Sequence, residues 1–276
     1  MTTRELRQTP EAWNEIAAGY DEFVTPTHAH VSEAALNVAD LRPGTRFLDV
    51  AAGTGSLSLP AARLGAEVVA TDISPAMVEH LATHAKEEGL SNVEARVMDG
   101  HALELEDDAF DVSGSQYGVM LFSDLPRALG EMVRVTKPGG RVLVVVYGNP
   151  EEMEFLGFFT RAVRSVIPDF EGLPRDPTPL PFQVADPAKL RQRLEEAGLE
   201  DVRVETVAEE LEFGSGRQLW DWLMNSNPIP GTLVADTTEE QRAAAREVLD
   251  ELVRERAEET GVAVLTSPVH VGIGTK

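Results

Sequence analysis

The chain of 276 residues contains no cysteine. That single absence excludes disulfides, thiolate nucleophiles and cysteine metal centres. Lysine is nearly as scarce, occurring only at Lys86, Lys137, Lys189 and Lys276. No uninterrupted apolar run approaches the length of a bilayer span, so stable membrane insertion is not expected. The opening MTTRELRQTPEAW lacks the apolar core of a signal peptide, and the expected location is the cytoplasm. Basic charge is in deficit, with 47 Asp+Glu against 24 Lys+Arg and a net charge of −23. A surface this acidic repels phosphate backbones, which argues against nucleic acid as a partner. It suits a high-salt cytoplasm, and a GC-rich genome produces much of the same bias. Charge speaks here of solubility rather than of function. Neither an internal repeat nor a low-complexity tract is present.

What is present is a hydrophobic fraction of 42%, enough for a substantial core. Trp13, Ile16, Ala17 and Tyr20 recur at helical spacing, which predicts a helix over 10–23 with one apolar face. A second helix is expected over 31–41, stopped by Arg42-Pro43-Gly44. Strands and helices then alternate. The strands are expected at 45–50, 66–72, 92–99, within 110–120 and at 141–148; helices follow from about Ser56, after Ser74-Pro75 and over 124–135. Ser74 as N-cap with proline behind it is a strong helix start. Lys137-Pro138-Gly139-Gly140 is a turn signal. Alternation of this kind predicts a mostly parallel sheet with helices on both faces.

Beyond residue 150 the pattern loosens. An amphipathic helix is expected over 151–166, and a surface loop over 168–187, where six prolines fall (168, 174, 177, 179, 181 and 187). Then come a helix over 188–198, a strand over 202–213, and helices near 216–225 and 238–258. The final VLTSPVHVGIGTK reads as an edge-like strand.

LDVAAGTGSLSLPAARLG, residues 48–65, places a glycine turn between a strand and a helix. In open α/β sheets ligands sit outside the carboxyl ends of the strands. Three expected strand ends carry an acid: Asp49, Asp72 and Asp99. A dinucleotide site would want G-x-G-x-x-G, but Ser58 stands where the third glycine belongs, after Gly53 and Gly55. Singly, each feature has a plainer reading: a tight turn for the glycines, helix caps for Asp49 and Asp72.

LDVAAGTG, VVATDISPAMV, VMDGHALELEDDAFDV and VTKPGGRVLV stand in order along the chain. Together they resemble the motifs of the class I S-adenosylmethionine-dependent methyltransferases, in particular the small-molecule and quinone-biosynthesis branch. The resemblance covers roughly residues 13–147. It implies a doubly wound, mostly parallel seven-stranded sheet of the α/β class, with an antiparallel C-terminal strand and helical N-terminal and late-chain caps. It further implies a single domain divided into a cap (1–41), a cofactor-binding core (42–150) and a substrate-side region (151–276).

The implied cofactor is S-adenosyl-L-methionine, leaving as S-adenosyl-L-homocysteine. Its methionine end would lie against Ala51, Gly53, Thr54 and Gly55, with Asp49 orienting the amino group and Gln116 nearby. Asp72 would accept from the ribose hydroxyls, and Ile73 and Met77 would pack on the adenine. Asp99 would accept from the adenine amine, with the Gly100–His101 backbone reading the ring. Tyr20 would close over the cofactor.

The acceptor pocket is expected among Met120, Phe122, Tyr147, Phe155, Phe158, Trp220 and Trp222, although ordinary core packing is the better account of most of them. Trp220 and Trp222 stand two apart, so on a helix they cannot face one core together. One of them should face a cavity or a lid. The expected partner is a small hydrophobic or aromatic methyl acceptor. His101, His28, His30 and Tyr117 are the candidates for proton transfer, with His270 behind them. No paired metal-ligand spacing stands out, so no metal is expected. The reading is methyl transfer by in-line displacement to carbon, oxygen or nitrogen, from a monomer or homodimer. The alternatives are a non-methylating S-adenosylmethionine-binding protein and, more distantly, a dinucleotide-dependent oxidoreductase.

Overall fold

The structure is a computed structural model that describes residues 8–173, 176, 178–257 and 261–276. The first seven residues, Pro174 and Pro177 of the proline-rich stretch, and Glu258 at the expected end of the last helix lie outside the described residues.

Seven strands form one sheet: β1 (Arg46–Val50), β2 (Glu67–Asp72), β3 (Val93–Val97), β4 (Phe110–Gln116), β5 (Thr136–Tyr147), β6 (Glu200–Phe213) and β7 (Ala263–Thr275). Their spatial order is β3-β2-β1-β4-β5-β7-β6. All neighbours are parallel except β7, which runs antiparallel to both β5 and β6. The doubly wound α/β fold with an antiparallel last strand is therefore present. Strand order reverses between β1 and β4, and their carboxyl ends open the crevice where such folds bind ligands. Val142 to Val146 of β5 are fully buried, as a strand covered on both faces requires.

The helices are α1 (Pro10–Gly19), α2 (Ala29–Val38), α3 (Ser58–Arg63), α4 (Pro75–Glu87) and α5 (Leu125–Val135), then α6 (Glu154–Val166), α7 (Pro187–Glu196), α8 (Gly216–Ser226), α9 (Pro228–Leu233) and α10 (Glu239–Arg256). Local chemistry accounts for the starts. Ser74 accepts from the Met77 N–H at 3.1 Å, with Pro75 at the first helical position. Asp124 caps α5, and Thr238 with Gln241 forms a reciprocal capping box on α10.

Several expectations are corrected. The first helix does not stop near residue 23; it passes into a π-helical turn (Tyr20–Val24) and a 3₁₀ turn (Thr25–His28). The helix after the glycine turn starts at Ser58 and lasts six residues. The Lys137–Gly140 turn lies inside β5. There Phe110 pairs with Thr136 but Val112 with Arg141, so the segment bulges out of the ladder, with Gly139 at φ 76°. α9 was not expected; Pro228 and Pro230 mask its helical pattern, yet Pro228 stands at the start, where a missing N–H costs nothing.

The last strand is not at an edge. β7 lies between β5 and β6, and β6 is the edge. The glycines that weaken its strand signal have a packing role: a Cβ on Gly272 would come 2.9 Å from Leu194 and one on Gly274 2.8 Å from Leu199. Helix α7 and the turn after it pack too closely over β7 for a side chain there.

Candidate functional site

The site grows from the end of β1. Ala51 sits at φ 57° and Gly53 at φ 55°, so the chain turns through the left-handed region twice in three residues. Gly53 takes this conformation at no steric cost, and the Tyr20 ring lies 3.4 Å from where its Cβ would be. Tyr117, just past β4, is a second non-glycine residue at positive φ (59°). Between the two, Gly118 leaves no room for a side chain: a Cβ there would lie 2.5 Å from that of Ala51. Among the described residues, two of the five non-glycine positions at positive φ thus lie where strand order reverses, as at ligand-binding centres.

Two buried acids hold the turn. The Gly53 N–H donates to Asp72 Oδ2 at 2.9 Å, and the Ser74 N–H to Asp72 Oδ1 at 2.9 Å. Asp72 therefore caps α4 and ties the glycine turn to β2 at once. Burial raises its pKa against these hydrogen bonds. Asp49 is fully buried and accepts from the Ser58 hydroxyl at 2.5 Å. Ser58 is not a failed glycine: its hydroxyl satisfies one oxygen of Asp49. The other, Oδ1, has no hydrogen-bond partner. Burial pushes Asp49 up to about 7.

Outside this turn lies a cavity of about 1200 Å³. Tyr20, Ala51, Gly53 and Gln116 line one part of it; Asp72, Ile73, Met77, Asp99 and His101 line another. Asp99 accepts from the His101 N–H and meets its Nδ1, both at 2.9 Å. Burial alone would raise Asp99, but the His101 contacts hold it below the usual carboxylate range. Gln116 accepts from Ser32 of α2 at 3.0 Å, which leaves its Nε2 buried without a partner. Asp49, Thr54, Gly55 and Gly100 do not line this cavity. They lie behind it: Thr54 is hydrogen-bonded to Thr25, and Gly100 packs on Phe122 and Val50.

A second cavity of about 820 Å³ adjoins the first, and Trp13, Tyr20, Tyr117 and Leu121 line both. Of the expected acceptor residues, Met120, Tyr147, Phe155 and Trp222 line the second cavity, and Phe122 the first. Phe158 and Trp220 line neither. The paired tryptophans of α8 are both buried in one core cluster, against the expectation that their spacing forbids it; only the facing of a cavity divides them. Trp222 stacks edge-on to Phe155 at 5.0 Å and faces the cavity. Trp220 packs between Phe159 and Arg246.

The proton-transfer candidates separate cleanly. His30 is exposed on α2 and lines neither cavity. His270 is buried within β7 between Thr206 and the Ala185 carbonyl. His28 lines the second cavity with both ring nitrogens unpartnered. Burial drives its pKa down to about 3, so it is a neutral imidazole. The Tyr117 ring lies 4.8 Å from it, stacked on Tyr147 at 4.5 Å. The Tyr117 hydroxyl donates to Glu209 Oε1 at 2.7 Å.

Glu209 was not singled out from the sequence. It is 1% exposed, and burial raises it to about 7 against the hydroxyls of Tyr117 and Tyr147. The signal was available: in VAEELEF, period-two alternation puts Glu209 on the buried face of β6 with Leu211 and Phe213. An acid at a core-facing register position asks for a partner.

A metal-ligand spacing was also missed. His80 and His84 lie one turn apart on α4 and converge with Asp21.

A sheet of this order, with one antiparallel strand and helices on both faces, is the Rossmann-like methyltransferase fold. Comparison agrees. The model of the ubiE/COQ5 methyltransferase family matches residues 6–175, and the chain belongs to that family. A demethylmenaquinone methyltransferase of Renibacterium salmoninarum is 31% identical over 181 residues, 61% of this chain and 72% of that protein. A Mycobacterium tuberculosis protein described as uncharacterized is 38% identical over 130 residues, 47% of this chain and 45% of its own. The chain thus spans about half the length of the first curated relatives it matches. Among solved structures, the YcgJ protein of Bacillus subtilis superposes with a TM-score of 0.59 at 21% identity, over 90% of this chain and 99% of that one, a likeness of fold.

The cofactor is S-adenosylmethionine. The residues present fit it: a side-chain-free turn at Gly53, a buried carboxylate at the end of β2, and unpartnered buried atoms on Asp49 and Gln116.

Proposed function

We propose that the protein transfers the methyl group of S-adenosylmethionine to a small, largely apolar, ring-bearing acceptor. Asp72 would hold the ribose hydroxyls, because a carboxylate presents two oxygens to a vicinal diol. Asp99 would accept from the adenine amine, with Ile73 and Met77 packed against the base. Gln116 Nε2 would meet a polar group of the methionine end, and Asp49, buried behind the cavity, would act on that end only through the turn it holds or an intervening water. The whole chain is read as a single domain, with the N-terminal helices capping the cofactor.

The observation that carries the acceptor reading is the second cavity. It is walled by Tyr147, Phe155, Trp222 and Met120, yet its floor presents His28 with two free nitrogens. Apolar walls with few polar groups are the mark of a small-molecule site. The cofactor supplies an activated methyl on a sulfonium, and no covalent nucleophile is needed from the protein. The chain's own part is to align donor and acceptor across Tyr20 and Tyr117, which line both cavities. His28, with a pKa of about 3, is a hydrogen-bond partner for an acceptor hydroxyl rather than a base at neutral pH. The relatives named demethylmenaquinone methyltransferases favour a quinol-type acceptor. The dinucleotide alternative loses its footing because Ser58 is committed to Asp49.

The test is product formation. The protein is incubated with methyl-labelled S-adenosylmethionine and a panel of isoprenoid-bearing quinols, simple phenols and amines. Label is expected in a quinol or phenol product. Tight binding of S-adenosylhomocysteine with no product across the panel would instead establish a cofactor-binding protein without this activity.

A further inference from the structure

Next to Tyr20 in the chain, a residue that lines neither cavity takes part in a second polar cluster. Asp21, in the π-helical turn, points at α4. Its Oδ2 lies 3.1 Å from His80 Nδ1 and 2.9 Å from His84 Nε2. The three ligand atoms lie within 4.8 Å of one another. None of the three residues lines either cavity.

We propose that Asp21, His80 and His84 form a binding site for a divalent transition cation of the Zn²⁺ type, which staples the N-terminal cap to α4. Two imidazoles and one carboxylate are a donor set that zinc takes with a water in the fourth position. Tetrahedral zinc, with ligands at about 2.0–2.1 Å, separates its donors by roughly 3.3 Å. The two Asp21–His separations therefore need to open by only a few tenths of an ångström, while the two imidazole nitrogens, within 4.8 Å of each other, close to the same spacing by side-chain rotation. The helical i, i+4 spacing of His80 and His84 brings both rings to one face of α4. The other nitrogen of His84, Nδ1, faces Glu87 Oε2 at 3.8 Å. That is an ion-pair distance, and the carboxylate adds negative charge beside the ring. All three side chains are half-buried, which leaves an entry path and limits competing water.

The consequence is mechanical. At its other end the cap is already tied to α4, where Asn14 Oδ1 accepts from the Ser74 hydroxyl at 2.6 Å and the Ala76 N–H at 3.2 Å. Metal at Asp21 would close the second tie, next to Tyr20 on the cofactor cavity. A π-turn inside a helix, with Asp21 in it, is a frequent mark of a functional position.

The experiment uses untagged, chelator-treated protein titrated with ZnCl₂ by calorimetry and with Co²⁺ by visible absorption. One equivalent is expected to bind at low-micromolar strength or better, with the intense absorption of tetrahedral Co²⁺. His84→Gln and Asp21→Asn should each weaken binding at least tenfold, while His30→Gln should not. Zn²⁺ should also slow proteolysis within residues 10–24 in the wild type and not in His84→Gln. All of these positions are exposed or half-buried, and a melting curve without metal reports whether each variant folds. The proposal is overturned if the wild type binds no stoichiometric metal, or if the His80→Gln/His84→Gln double variant binds as tightly as the wild type. Either result would leave a hydrogen-bonded Asp–His cluster only. Because the readouts are metal binding and proteolysis, they stand or fall apart from the methyltransferase reading.

Discussion

Asp72 carries two tasks on one carboxylate, and its substitution should separate them. In Asp72→Asn a single carbonyl oxygen replaces two acceptors, while the Gly53 and Ser74 N–H groups both still point inward. Hydrogen bonds to a charged group contribute about 1.5–3 kcal/mol, which corresponds to a loss of roughly 10- to 150-fold in affinity. Calorimetry with S-adenosylhomocysteine is expected to show that loss; unchanged affinity would remove Asp72 from the ribose. Glu209 permits a test by pH. Its folded pKa, about 7, lies above the 4.5 of an ordinary glutamate. Folding therefore favours the protonated form. The stabilising contribution is complete below about pH 4.5 and lost as pH rises through 7. Glu209→Gln keeps an acceptor for Tyr117 and cannot ionise. It should match the wild type in Tm near pH 4 and exceed it at pH 8. A difference in Tm that does not change with pH would contradict the raised pKa.

Helix α8 shows how one element serves two layers. Trp222, 1% exposed, packs on Phe155 and Phe213, and its Nε1 donates to Thr27 at 3.1 Å. Trp222→Ala is expected to cost about 3–5 kcal/mol, and Trp222→Phe, which mainly loses the Thr27 hydrogen bond, about 1 kcal/mol. Chemical denaturation of the two variants checks this; equal losses would deny the ring its packing role. That one of the two tryptophans borders a cavity was legible from their spacing, but their joint burial in one core was not. The strand–helix alternation, the Ser74 cap and the three acids at strand ends were legible too, because each is a local pattern in a few consecutive residues. The position of β7 was not legible, since its glycines and Pro268 conceal a strand whose packing partners, Leu194 and Leu199, lie far earlier in the chain. The Asp21–His80–His84 cluster escaped for the same reason. Its histidines show a spacing, but the carboxylate comes from an element that only the π-turn aims at α4. Of the expected acceptor residues, Phe158 and Trp220 line neither cavity, because an aromatic at helical spacing does not reveal which of two layers it faces.

At the scale of the molecule, a net charge of −23 should govern how stability responds to salt. Individual ion pairs do not decide the sign. Those such as Arg63–Glu88 and Arg134–Asp107 are largely exposed, and exposed pairs contribute about 0–1 kcal/mol each. The surplus acids have no cation to pair with, and their mutual repulsion is greater in the compact chain than in the expanded one. Added salt shortens the screening length from about 10 Å at 0.1 M to about 3 Å at 1 M, which removes repulsion from the folded state first. The attractive pairs lose strength too, but Asp and Glu outnumber Lys and Arg by 47 to 24. Tm at pH 7.5 is therefore expected to rise steadily between 0.05 and 1 M NaCl, by about 2–4 °C for each kcal/mol of repulsion relieved. At pH 4, where many carboxylates are protonated, the same salt series should give a much smaller rise. A Tm that falls with salt at pH 7.5 would mean that the paired charges outweigh the surplus ones. An equal rise at both pH values would point to salt acting on apolar burial instead of on charge.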